Sequence, residues 1–299
     1  MKILLTGGTG FIGSALRKSC KGRHQVTVIT RTPQAHVPGM GEEFKSSAWL
    51  DEVQDLNDFD AVVNLAGEPI ADARWSTSRK HEICESRWQI TRRLAELIAS
   101  SDSPPEVLIS GSAIGVYGRQ GNKMIDESFA DYHQEFSHRV CINWEQLALE
   151  AEHNTRICIL RTGIVLGKNG GALQKMLLPF KLGLGGTLAS GEQMMSWIHL
   201  HDMVAAIMFL LENRDQKGVY NLTAPNPVTN REFTQALGQA LHRPTLLNTP
   251  GFALRLLFGE MADLLIYGQV VVPTRLLDAG FVFQYPQVSD ALVEVVEEK

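Results

Sequence analysis

Residues 2–13 read Lys2-Ile3-Leu4-Leu5-Thr6-Gly7-Gly8-Thr9-Gly10-Phe11-Ile12-Gly13. A short apolar run meets three glycines spaced three apart, and Gly10–Cys20 then carries apolar residues at helical spacing. The order is strand, tight turn, helix. Gly7 is read as the tight turn, Gly10 as the point where backbone can approach a pyrophosphate, and Gly13 as the close packing of helix on strand. Free N–H groups and the positive dipole end of the helix suit phosphate. A glycine triplet alone says little, but with a strand before and a helix after it predicts a Rossmann dinucleotide site. Gly7, Thr9, Gly10, Phe11, Ile12 and Gly13 are its expected contacts.

The next strand ends Val28-Ile29-Thr30-Arg31-Thr32-Pro33. A site for NAD usually places Asp or Glu there for the ribose 2′-hydroxyl. Arg31 stands there instead, and it can pair with a 2′-phosphate. NADP(H) is the expected cofactor.

Further strands are read at Ala61–Leu65, Val107–Ser110 and Arg156–Arg161, with helices at Thr77–Ser100 and Glu135–Glu152. That alternation predicts an α/β fold, a Rossmann-type doubly wound parallel sheet covered on both faces. After Arg161 the rhythm changes. Glycine-rich turns bracket a helix starting near Gly171, and helix Asp202–Glu212 and strand Val219–Leu222 return to the main sheet. The nucleotide-binding domain is assigned to 1–165, completed by about 196–222. Residues 166–195 and 223–299 form a smaller C-terminal α/β lobe, with helices at Arg231–Leu241 and Ser289–Val296.

The 299 residues are 44% hydrophobic and 20% charged, with a formal net charge of -5. No basic stripe stands out, which argues against nucleic acid as a partner. Lys2 is followed by only three apolar residues before Thr6, too few for an export signal. No run approaches a membrane span; Phe252–Val272 is broken by Arg255, Glu260 and Asp263 and reads as amphipathic packing. Cys20, Cys84, Cys141 and Cys158 form no CxxC pair, which fits a reducing compartment and no metal. The cytosol is the expected location. His199, His201 and Asp202 read as the opening of a helix, with Asp202 in its first turn.

Several stations together resemble the extended short-chain dehydrogenase/reductase superfamily, which includes nucleotide-sugar epimerases. They are TGGTGFIG at 6–13, Asn64-Leu65-Ala66-Gly67, Ser110-Gly111-Ser112-Ala113 with Val116-Tyr117-Gly118, Leu160-Arg161-Thr162-Gly163, and Trp197 to Asp202. More narrowly, 64–75, 112–118, Trp144-Glu145 and 273–286 resemble its YfcH-type epimerase-family subgroup. The resemblance spans essentially the whole chain. It implies that Leu65, Ala66 and Gly67 pack beside the adenine ribose and that Ser112 is the active-site serine. By analogy it also offers a homodimer, with the Trp144-bearing helix as a candidate contact.

The superfamily's Tyr-x-x-x-Lys is missing. Four positions beyond Tyr117, Tyr132, Tyr220, Tyr267 and Tyr285 stand Gly121, Phe136, Ala224, Val271 and Ser289. Aligning Glu145 with the corresponding helix puts Ser137 and Cys141 at the tyrosine and lysine positions. Serine has too high a pKa to replace a phenol easily, and cysteine brings no lysine charge. Ser112 and Tyr117 are the remaining candidates for catalysis. Cys141 is read as an apolar filler. Arg74, Arg87 and Arg161 stand open between binding an anionic substrate and forming ion pairs. Two functions compete: an NADP(H)-dependent oxidoreductase or epimerase acting on an unknown small molecule, and a non-catalytic NADP(H)-sensing regulatory module.

Overall fold

The computed structural model describes residues 1–36, 38, 41–168 and 170–297. Seven strands make the central sheet: β1 (Lys2–Thr6), β2 (Gln25–Thr30), β3 (Glu42–Ser46), β4 (Ala61–Asn64), β5 (Val107–Ala113), β6 (Arg156–Thr162) and β7 (Gly218–Leu222). Their spatial order is β7-β6-β5-β4-β1-β2-β3, and every pairing is parallel. The chain winds outward from β1 to β3, then returns to β4 and winds the other way. The reversal falls between β1 and β4. In open parallel sheets ligands bind outside the carboxyl ends of the strands at such a reversal.

Helices cover both faces. On one lie α1 (Phe11–Cys20) and α5 (Leu200–Glu212); on the other lie α2 (Thr77–Ala99) and α3 (Phe136–Leu149). Central-strand residues such as Leu4, Val62, Leu108 and Ile159 are completely buried. Each such aliphatic side chain contributes about 1.5–3 kcal/mol through burial. Ser76 caps α2 by accepting the N–H of Arg79 at 3.1 Å.

A separate core joins α4 (Gly171–Lys181), α6 (Asn230–Leu241) and α7 (Val288–Glu297). Thr229 and Glu232 close a capping box at the start of α6. His199 caps α5, accepting the N–H of His201 at 3.2 Å. The Asp202 carboxylate, 1% exposed, receives the backbone N–H groups of Gln284 and Tyr285, each at 2.9 Å. That carboxylate ties the C-terminal segment to the sheet domain.

Three elements differ from the sequence reading. β3, of sequence Glu-Glu-Phe-Lys-Ser, was not foreseen because it has a single apolar residue; it is an edge strand supported by β2 and by Arg17 over the Phe44 ring. β5 runs three residues further than expected, to Ala113, which sets Ser112 opposite Arg161. The segment from Phe252 to Val272 does not pack as one amphipathic unit. In its helix Gly251–Phe258 only Leu254 is buried, while Phe252, Leu256 and Leu257 face outward. Among the described residues no helix is long and apolar enough to cross a membrane.

Candidate active site

The cradle at the end of β1 is set by its glycines. Gly7 has φ +70, and a Cβ there would lie 2.5 Å from the Leu65 carbonyl oxygen. The turn therefore packs directly on the end of β4. A Cβ at Gly13 would collide with the Gly7 carbonyl. Gly10 differs: its one near neighbour would be the Gly7 oxygen at 3.2 Å, and the residue is exposed. Backbone is thus offered to a ligand at the start of α1, whose first turn no side chain caps. Thr9 is exposed beside it, and Phe11 and Ile12 are half-buried. The Phe11 ring rests on the turn formed by Gly167, Gly170 and Gly171.

Thr6 Oγ1 donates to Asn64 Oδ1 at 2.6 Å, a buried bond locking the ends of β1 and β4 together. Leu65 and Ala66 follow at the same edge, and Gly67 is exposed with its backbone against Arg87. Arg31, at the end of β2, has an 84% exposed side chain whose Nη1 donates to Glu68 at 2.8 Å. The carboxyl ends of β2, β1 and β4 so bring Arg31, Gly10 and Leu65–Gly67 to one open edge. A dinucleotide phosphate backbone fits this arrangement, because a side chain at Gly10 would fill the place it needs.

At the ends of β5 and β6 the polar groups turn inward. Ser112 Oγ donates to Glu145 Oε1 at 2.6 Å. Arg161 grips the same carboxylate with two bonds, at 2.9 and 2.8 Å, and its Nη1 donates to the Tyr117 hydroxyl at 3.0 Å. That hydroxyl donates in turn to Asn221 Oδ1 at 2.7 Å. All five residues are at most 5% exposed. Burial pushes the Tyr117 phenol up to about 12. The structure does bring Ser112 and Tyr117 into one network, but with the Tyr117 hydroxyl fully enclosed among Arg161, Asn221 and the Asp126 carbonyl. That placement speaks against Tyr117 as a direct proton donor.

Ser137 and Cys141 occupy the α3 positions expected from sequence. Cys141 packs against Val116, Tyr117, Ile125 and Val271, and burial pushes its thiol up to about 12. Such a thiol is inert at neutral pH. Ser137 Oγ donates to Glu135 Oε1 at 2.9 Å, and Glu135 Oε2 accepts from Arg119 at 3.1 Å. Here a cavity of about 280 Å³ opens, with Trp75, Phe136, Ser137 and Arg139 on one side and Glu260 and Asp263 of the lobe on the other. Arg119 Nη2 to Asp263 at 3.4 Å and Lys80 Nζ to Glu260 at 2.6 Å bridge the two sides.

Of the three arginines left open by sequence, Arg161 is paired with Glu145. Arg87 lies over the Trp144 ring and donates to backbone oxygens of Ile83 and Glu68. Arg74 is exposed beside Gly259. Trp144 itself is buried against Gly111. Sequence reasoning passed over Glu68, Glu135, Glu145 as a network member, and Asn221. Glu68 had a signal, since it directly follows the Asn64–Gly67 run; Asn221 had none, because it meets Tyr117 across 104 residues.

The model of the family described as NAD dependent epimerase/dehydratase matches residues 3–223, and a domain of unknown function, DUF1731, matches 249–295. The chain is 41% identical over 99% of its length to an epimerase family protein SDR39U1 homolog, chloroplastic, of Arabidopsis thaliana, covering 87% of that protein. It is 36% identical over 99% of its length to the human epimerase family protein SDR39U1, covering 100% of it. The crystal structure of the human protein (isoform 2) with NADPH superposes at a TM-score of 0.91, with 36% identity and 100% of both chains covered.

Proposed function

The chain belongs to the NAD dependent epimerase/dehydratase family, and from that membership we propose that it binds NADP(H) and acts as an oxidoreductase or epimerase on a small molecule held in the cavity at the start of α3. One observation carries the reading: the exposed glycine cradle at Gly10, beside Arg31, at the reversal of strand order. The likeness to a human protein crystallised with NADPH supports it. When bound, the dinucleotide supplies or takes back a hydride. Gly10 and the N-terminal turn of α1 hold its pyrophosphate, Arg31 its 2′-phosphate, and Leu65, Ala66 and Gly67 flank the adenine ribose.

Proton transfer then falls to a non-standard group. Ser137, at the family's tyrosine position, faces the cavity with its hydroxyl on the Glu135 carboxylate. In the oxidising direction the substrate hydroxyl gives its proton to Ser137 Oγ as Ser137 passes its own to Glu135; reduction reverses both moves. Ser112 and Tyr117 serve this reading as anchors of the buried Glu145–Arg161 pair. The four cysteines are free and three are buried, which supports a reducing compartment.

The experiment saturates the protein with NADPH, verified by fluorescence, and follows nicotinamide absorbance against pooled carbonyl compounds, with isomer analysis of nucleotide sugars. Turnover that disappears in Gly10→Asp and drops in Glu135→Gln supports the reading. A saturated protein silent across both panels overturns it. A second reading is favoured by the consumption of the Ser112 and Tyr117 hydroxyls inside the protein. In it the chain is a non-catalytic NADP(H)-sensing module, and a partner's affinity depends on NADPH occupancy.

A further inference from the structure

Arg31 stands on an exposed loop, where a long side chain samples many rotamers and binds a phosphate only after losing that freedom. One end of it is not free. Its Nη1 donates to Glu68 Oε1 at 2.8 Å, whereas among the described residues Nε and Nη2 make no bond. Those two nitrogens form one edge of the guanidinium fork, and that edge matches a phosphate with two parallel bonds.

Glu68 is itself held in place. Its N–H donates to Ser86 Oγ at 3.0 Å, and its carbonyl accepts from Arg87 Nη2 at 2.9 Å. Its second carboxylate oxygen lies 3.5 Å from Arg79 Nη1. Three residues of α2 therefore fix the carboxylate partner of Arg31. The carboxylate also sits between two guanidiniums, Arg31 and Arg79. Its charge is largely compensated, so it repels a nearby phosphate little at a solvated surface.

We propose that Glu68 is a positioning residue for cofactor choice: it holds Arg31 by one nitrogen and presents the free edge of its fork to the 2′-phosphate of NADP(H). The proposal rests on the reading of Arg31 as the 2′-phosphate ligand. Glu68 acts on the phosphorylated dinucleotide alone, because NAD(H) offers Arg31 nothing to grip. The opposite role, Glu68 as a competitor that must be displaced from Arg31, predicts effects of the opposite sign.

The test measures dissociation constants for NADPH and NADH by tryptophan fluorescence on the full chain. Wild type is compared with Glu68→Ala, Glu68→Gln, Arg31→Ala and the double variant Glu68→Ala/Arg31→Ala. Glu68→Ala is expected to weaken NADPH about 3–10-fold, the worth of losing one anchored charge-assisted contact at an exposed site, and to leave NADH unchanged. Glu68→Gln, which keeps an acceptor oxygen, restores most of the loss. In the Arg31→Ala background Glu68→Ala changes nothing further. Tighter NADPH binding in Glu68→Ala, an equal loss for both dinucleotides, or no change in their ratio overturns the proposal while Arg31 keeps its role. An Arg31→Ala variant with unaltered preference overturns the role of Arg31 and this proposal together.

Discussion

Two neighbouring stretches of the same sheet edge are built on opposite principles. Past the buried Thr6–Asn64 bond, the loops after β2, β1 and β4 turn their polar groups outward: Gly10 is exposed, no side chain caps α1, and Arg31 is 84% exposed. At the ends of β5 and β6 they look inward, and Ser112, Glu145, Arg161, Tyr117 and Asn221 satisfy one another out of water. The first stretch leaves its hydrogen-bonding capacity for a ligand. The second spends it on the fold. A buried guanidinium and carboxylate are tolerable only as a pair with their remaining positions bonded, and here two hydroxyls and an amide complete the set. The difference teaches that a serine in the expected strand position is not by itself evidence of a reactive serine.

The largest expected effect would break the inward half. Glu145→Ala leaves Arg161 buried without its counter-charge and should destabilise the fold by about 3–5 kcal/mol in denaturant titration, with NADPH affinity of the folded protein retained. A loss near zero would mean that water reaches Arg161 and the contrast fails. The outward half is broken by Gly10→Asp, which sets a carboxylate at the position proposed for the pyrophosphate. NADPH affinity should fall on the order of 100-fold, about 2.7 kcal/mol, with an unchanged melting curve.

A smaller effect sharpens the contrast through pH. Folding raises the Tyr117 phenol to about 12 from an unfolded value of 10.0, so the unfolded chain releases this proton first. Its stabilising contribution is complete below 10 and drains away as pH rises towards 12. Absorbance titration should show one phenol ionising only with alkaline unfolding; a Tyr117 that ionises reversibly in the folded protein would contradict the enclosure. The smallest effect concerns thiols. Cys84, half-buried, should react with iodoacetamide at mildly alkaline pH while Cys141, 4% exposed, stays unmodified until the chain unfolds.

What could be read from sequence follows the range of the interactions. The turn at 7–13 was legible because strand, glycines and helix signal within a dozen residues. The position of Arg31 at the end of β2 was legible because an acid is expected at that one position. The inward network was not, since Glu145 and Arg161 are 16 residues apart, Ser112 and Glu145 are 33 apart, and no local pattern announces their meeting. β3 was missed because an edge strand needs little apolar character. The stretch at 252–272 was legible as no membrane span, and Leu254, Met261, Ala262 and Val271 do turn inward, but the exposure of Phe252, Leu256 and Leu257 was not legible. A helix over Glu135–Glu152 was anticipated, but the burial of Ser137, His138 and Glu145 on α3 was not. His138 bonds the Val116 carbonyl and Glu145 bonds Ser112 and Arg161, partners far along the chain, whereas Ser137 bonds Glu135 nearby.

Asp202 carries a consequence for how the molecule is made. Its two backbone partners, Gln284 and Tyr285, lie 82 and 83 residues later in the chain. During synthesis the sheet can assemble long before those partners leave the ribosome, and until they arrive the carboxylate must keep its water. The seat for the tail therefore stays wet and loose while the chain grows, and dries only when the final segment docks. A chain cut short before Gln284 would keep that carboxylate wet and its lobe open, which marks it for the quality-control machinery of the cell.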